Sequence, residues 1–290
     1  MSHQQPDVLA QAGPADALIR PASPIAIGLR SRSADPVAFL RRAIEASSLI
    51  ILLIVVWQLV VSIFHPPAFL LPAPADVWSS IWNGNLRWPT HIWITLQEAV
   101  GGFALAVVTG LALGILIAWS EILSRTVLPF LVVFNTLPKV AIAPLFIIYL
   151  GFGVFPNMVT AATIAFFPMV INTSIGLMQT DEDLIDLARS LNAPKWKIFL
   201  RLRLPNATPY ILSALKVSTT MAVTGAMVGE FVASQGGLGN LLIATQVSLQ
   251  MDIAFASLFW LVIIGLALYY VVDFAGRLLF PWASSPTLEQ

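Results

Sequence analysis

The sequence contains no cysteine. That excludes a disulfide framework and any thiolate-held metal or cluster. Charge is also scarce. Charged residues make up 10% of the 290, where a soluble globular chain carries about 25%. Fifteen Lys and Arg balance fifteen Asp and Glu, so net charge gives no reason to expect a nucleic-acid partner. The three histidines, His3, His65 and His91, are too scattered for metal-ligand spacing. No Walker A sequence and no H-E-x-x-H occur, and no Ser/His/Asp set can be assembled. Acids inside apolar stretches are few, chiefly Glu98 and Glu230. The expectation is a chain with no catalytic residues, no metal site and no bound cofactor.

What the chain has is apolar length. Hydrophobic residues make up 58%. Six stretches are long enough to cross a hydrocarbon layer of about 30 Å, which takes roughly 20 helical residues. They are 47–64, 97–119, 127–150, 155–178, 209–232 and 255–280. The expected fold is all-α and integral to the membrane, with six transmembrane helices over residues 47–281. Only Gly151-Phe152-Gly153-Val154 separates the third stretch from the fourth. Residues 1–46 hold five prolines, no apolar run and no signal-peptide h-region. They read as a mostly disordered tail, and residues 282–290 as a short C-terminal tail.

Basic residues set the expected orientation, because Lys and Arg concentrate on the cytoplasmic side. With the N-terminus inside, twelve of the fifteen basic residues fall on inner segments, Lys139 and Lys216 fall within spans, and only Arg87 falls outside. Both termini and the 180–209 segment are then cytoplasmic. The outer segment 65–96 holds Asp76, expected to cap a short helix. Its tryptophans Trp78, Trp82 and Trp88, with Trp93, read as an interfacial belt. In the second span Gly102, Ala106, Gly110, Gly114 and Ala118 recur every fourth residue. Such a small-residue stripe lets another helix approach closely, within the chain or from a second copy.

Polar groups inside the spans mark candidate pathway residues. The fifth span carries Ser213, Lys216, Thr220, Thr224 and Glu230 within one sector. The third carries Asn135, Thr136 and Lys139 among Pro129, Pro138 and Pro144, which predicts a kinked or interrupted helix. The fourth adds Asn172 and Thr173. A lone Thr or Asn in a span ordinarily serves helix packing; three spans together point to a pathway. After the fifth span, 234–240 reads as a flexible Gly-rich turn, and 241–250 as an amphipathic outer segment.

The segment 180–209 is the polar interruption. Asp181, Glu182, Asp183 and Asp186 open it, and Lys195, Lys197, Arg201 and Arg203 close it. Thr180 is the expected N-cap, and the acids favour the positive end of the helix dipole. Leu184, Leu187, Ala188 and Leu191 give one apolar face. Asn192 is expected to end the helix in the left-handed conformation, and Pro194 to open a second helix ending near Pro205 and Pro209. An amphipathic hairpin lying on lipid is the competing reading.

Here the residues match a known pattern. Asp186-Leu187-Ala188, then Asn192, then Leu202-Arg203-Leu204-Pro205, follow the spacing E-A-A-x3-G-x9-I-x-L-P. That loop marks the permease subunits of binding-protein-dependent ABC importers. Asp for Glu, Leu for Ala, Asn for Gly and Leu for Ile are the departures. Leu71-Pro72-Ala73-Pro74, Leu137-Pro138-Lys139-Val140-Ala141-Ile142-Ala143-Pro144-Leu145, Tyr149-Leu150-Gly151-Phe152-Gly153, Phe167-Pro168 and Gly236-Gly237-Leu238-Gly239 resemble the nitrate/sulfonate/taurine group. The resemblance implies a type I importer permease fold in a bacterial inner membrane. It implies that Asp186, Leu187, Ala188, Leu191, Asn192, Ala193, Pro194, Lys195 and Trp196 couple to a cytoplasmic ATPase, which uses the ATP. It further implies a second permease copy and a periplasmic or lipid-anchored binding protein. The cargo would be a small anion such as nitrate, a sulfonate or taurine, or else a pyrimidine, thiamine precursor or aromatic acid. A secondary transporter is the rival, and would need repeat symmetry and coupling carboxylates.

Overall fold

The computed structural model describes residues 36–284. The expectations for residues 1–35 and 285–290 lie outside them. Among the described residues every regular element is helical. The chain divides into two units, residues 1–53 and 54–290. In the first, the described part is the N-terminal portion of α1 (Pro36–Phe64), which begins before the expected start at residue 47. The second holds everything else.

The helices of the second unit follow from apolar runs and their breakers. They are α2 (Pro74–Ile81), α3 (Trp88–Trp119), α4 (Glu121–Asn135), α5 (Ala143–Leu150) and α6 (Val154–Met178), then α7 (Glu182–Ser190), α8 (Lys195–Ile198), α9 (Leu204–Ala233), α10 (Leu238–Val247) and α11 (Met251–Leu279). Four helices are long and apolar enough to cross a membrane: 88–119, 154–178, 195–232 and 251–279. A fifth candidate is the pair 121–135 and 139–150, bent by 88°. The proline-rich third stretch is thus a broken helix, as its composition predicts. Residues 48–64 of α1 form a shorter apolar helix.

α6 is the central helix, packed against α3 and α9. The small-residue stripe of α3 meets α6: a Cβ on Gly110 would sit 2.8 Å from Met169, and one on Gly114 2.8 Å from Thr173. Ala106 is buried with Ala165 and Ala222. The stripe therefore serves contact within the chain.

Two expectations need correction. Trp88 is not interfacial. It is buried, and its Nε1–H donates to Ser80 O at 3.0 Å; Trp78, Trp82 and Trp93 are exposed. Pro205 and Pro209 do not end a helix. A π-helical turn at Phe199–Arg203 precedes Pro205, and residues 195–232 run as one helix. A proline ring clashes with the carbonyl four residues back, here that of Arg201, and the wider π turn relieves that clash.

Candidate functional site

Three groups of residues bear on function. The first is the α7–α8 elbow. Asp181, not Thr180, is its N-cap, accepting from Asp183 N–H at 2.9 Å. Thr180 Oγ1 is buried and has no hydrogen-bond partner. Glu182 and Asp183 occupy the first turn of α7 and Arg189 the last, each at the end of the dipole that favours its sign. Asp186 pairs with Arg189 at 2.9 Å. Asn192 has φ +55, the left-handed conformation expected of it. Its N–H donates to Arg189 O at 2.9 Å, and Ala193 N–H donates to Ala188 O at 3.0 Å. Pro194 caps α8, so that Lys195 rather than Pro194 is the first helical residue.

The apolar face of α7 points away from the protein. Leu184, Leu187 and Leu191 are 49%, 59% and 74% exposed, and Trp196 on α8 is 56% exposed. Ile185 and Ile198, unremarked in the sequence reading, are the buried anchors. The elbow is also bound to span ends. Arg203 Nη1–H donates to Ala118 O at 3.0 Å, in the last turn of α3, where carbonyls lack helical partners. Asn206 Nδ2–H donates to Gln179 O at 3.3 Å beyond α6. Trp119 meets Phe199 edge-on at 5.5 Å.

The second group is the polar set inside the spans, which the structure divides. Thr220 and Thr224 are exposed on α9 and line a groove of about 470 Å³ with Met227, Leu258 and Tyr269. Their hydroxyls are satisfied by the α9 backbone, at 2.8 and 3.0 Å, so the groove wall costs no unpaired donor. Lys139 Nζ donates to Asn135 Oδ1 at 2.8 Å and lies 4.8 Å from the Phe167 ring centroid. The structure places Lys216 against Asp273, which also holds Arg277 at 2.8 Å. Asn172 donates to Pro168 O at 2.9 Å. Thr173 is buried beside Gly114, in the α3–α6 contact.

The third group is buried, and the sequence reading gave it no partners. Glu230 is fully buried on α9. It accepts from Thr95 Oγ1–H at 2.5 Å and from Gly239 N–H. Leu238 N–H donates back to Thr95 Oγ1 at 2.9 Å. The carboxylate thus caps the first turn of α10, where N–H groups have no partner within the helix. Glu98, its buried neighbour, accepts from Asn157 Nδ2–H at 2.9 Å. Gly237, at φ +100, leaves no room for a Cβ beside the Glu230 carboxyl. The Gly-rich turn is therefore a fitted joint rather than a flexible linker. Its signal in the sequence was a lone acid six residues before a double glycine. No group of three or more metal-ligating side chains occurs among the described residues.

Comparison with known proteins agrees with this geometry. Residues 110–285 match the family described as "Binding-protein-dependent transport system inner membrane component". The chain is similar to the riboflavin transport system permease protein of Chloroflexus aurantiacus, 35% identical over 81% of this chain and 89% of that protein. It is similar to the formylaminopyrimidine transport permease protein of Halalkalibacterium halodurans, 30% identical over 83% of this chain and 96% of that protein. Among solved structures it resembles the inward-facing MetNI methionine ABC transporter, with TM-score 0.55 and 22% identity over 67% of this chain and 95% of that chain.

Proposed function

The chain belongs to the family of binding-protein-dependent transport inner membrane components, the ABC transporter permeases, and is not an enzyme; on that premise we propose that it forms the solute pathway of an ATP-driven importer and couples that pathway to a separate ATPase through α7 and α8. The observation that carries the coupling role is the outward apolar face of Leu184, Leu187, Leu191 and Trp196. Burying one such side chain stabilises by about 1.5–3 kcal/mol, so four together support a protein contact. A lipid surface would also take an apolar face. The acids Asp181, Glu182, Asp183 and Asp186 at the start of the segment oppose anionic lipid.

In this reading the spans number six, with α1 the first, and both termini and the elbow are cytoplasmic. A binding protein delivers solute from outside, and a second permease copy completes the pathway. Thr220 and Thr224 on α9 and Asn135 at the broken span, all exposed, with the half-buried Lys139 bonded to Asn135, are the best supported pathway candidates. Lys216, Thr173 and Glu230 hold helices together, and Asn172 bonds within its own helix. The 195–232 helix carries movement from the elbow into the pathway as one rod.

The cargo proposed first is a small anion of the nitrate or sulfonate kind, as relatives named for aliphatic sulfonates and nitrate suggest. A heteroaromatic solute is the second reading. It is favoured by the relatives named for formylaminopyrimidine and riboflavin, and by the pairing of Lys216 with Asp273, which leaves Lys139 as the pathway cation. The test is uptake into proteoliposomes holding the chain, its ATPase and its binding protein, over a panel of these four solute types. Uptake of one type only when ATP and ATPase are present is expected. Equal uptake by the chain alone would return it to the secondary transporters.

A further inference from the structure

The elbow encloses a second feature, which shares only Ala193 and Lys195 with the residues assigned to coupling. Behind α7 and α8 lies a cavity of about 410 Å³, lined by Arg189, Lys195, Arg203, Trp119, Phe199 and Ile185 among others. Small-molecule sites run from about 300 to 1,000 Å³. Three cations line this cavity and no acid does. Arg203 uses one N–H on Ala118 O, and Arg189 one on Asp186. A guanidinium has five donors, so each retains donors for an anion. Lys195 has no ion-pair partner among the described residues.

We infer that this cavity is a binding site for the phosphate group of an anionic membrane lipid. Trp119 closes α3, a membrane-crossing helix, so the cavity stands where hydrocarbon gives way to headgroups. Its wall is aromatic and aliphatic, and its remaining lining is cationic. A lipid phosphate has the matching parts: charge for Arg and Lys forks, and glycerol and upper acyl carbons for Trp119 and Phe199. The leucine face and the cavity do not compete. At 100° per residue, Ile185 and Arg189 lie about 150° around α7 from the centre of Leu184, Leu187 and Leu191. A partner on the leucines leaves the Ile185 and Arg189 wall of the cavity open. Which leaflet supplies the lipid rests on the orientation proposed above; the site itself does not.

The test is native mass spectrometry of the full-length chain in detergent, titrated with phosphatidylglycerol, phosphatidylcholine or inorganic phosphate. Phosphatidylglycerol should be retained more tightly than phosphatidylcholine, and inorganic phosphate should compete with it. Lys195→Gln and Arg189→Gln should each weaken phosphatidylglycerol about fivefold, the effect of one surface cation on an anionic lipid. Arg201→Gln, exposed and off the cavity, should leave it unchanged. Equal retention of the two lipids, or unchanged binding in both cavity variants, overturns the inference. Phosphate binding with no lipid preference assigns the pocket to a free anion and also overturns it. If a variant proves unstable, the lipid preference and phosphate competition of the unaltered chain decide. ATP-dependent uptake is not read in this experiment, so its failure and that of the coupling role are separable.

Discussion

Glu230 shows how one carboxylate can splice two helices. It rises from α9, receives Thr95 from α3 and caps the start of α10. Removing it strands donors that water cannot reach, at about 1–3 kcal/mol for each buried unsatisfied group. Glu230→Ala should therefore lower the thermal midpoint in detergent and increase hydrogen exchange at the start of α10. An unchanged midpoint with unchanged exchange would contradict the cap. Gly237→Ala should act in the same direction, since φ +100 and the adjacent carboxyl both oppose a Cβ. The pairing of Glu230 with Thr95 was not legible in the sequence. Thr95 and Glu230 lie 135 positions apart, and no local pattern reports such a pair. Asn192 was legible, because the left-handed conformation is a local demand that few residues meet. The cap at Asp181 rather than Thr180 was not, because both residue types cap well and packing chose between them.

Among the elements, the elbow depends on Asn192. Asn192→Gly should keep uptake coupled to hydrolysis, since glycine adopts φ +55 without strain. Asn192→Pro should uncouple them while the chain still inserts, because proline fixes φ near −65° and removes the N–H given to Arg189 O. Normal coupling in the proline variant would remove the elbow from the mechanism. On α9, Thr224→Phe should reduce uptake at least several-fold while ATPase binding stays intact; unchanged uptake would take the α9 groove out of the pathway. The long apolar helices were legible because hydropathy alone defines them. So was a break in the third span, because it is rich in proline; Pro138 stands at the break, whereas Pro129 is carried inside α4 and Pro144 opens α5. The passage of α8 into α9 was not, because the π turn that accommodates Pro205 leaves no mark in hydropathy.

For the whole molecule, the permease family is established, and the elbow is the feature that calls for a partner. An elbow that exposes three leucines and a tryptophan, followed by residues bonded back to the ends of α3 and α6, has the form that the proposed docking and lever role requires. The most direct measurement is the affinity of the ATPase subunit for the purified chain, compared with Leu187→Asp. Losing one such contact and burying a charge in its place should weaken binding by at least about tenfold, each factor of ten being 1.4 kcal/mol, with helical content unchanged. ATPase binding of undiminished affinity to a folded Leu187→Asp chain would contradict the assignment of α7 as the coupling helix.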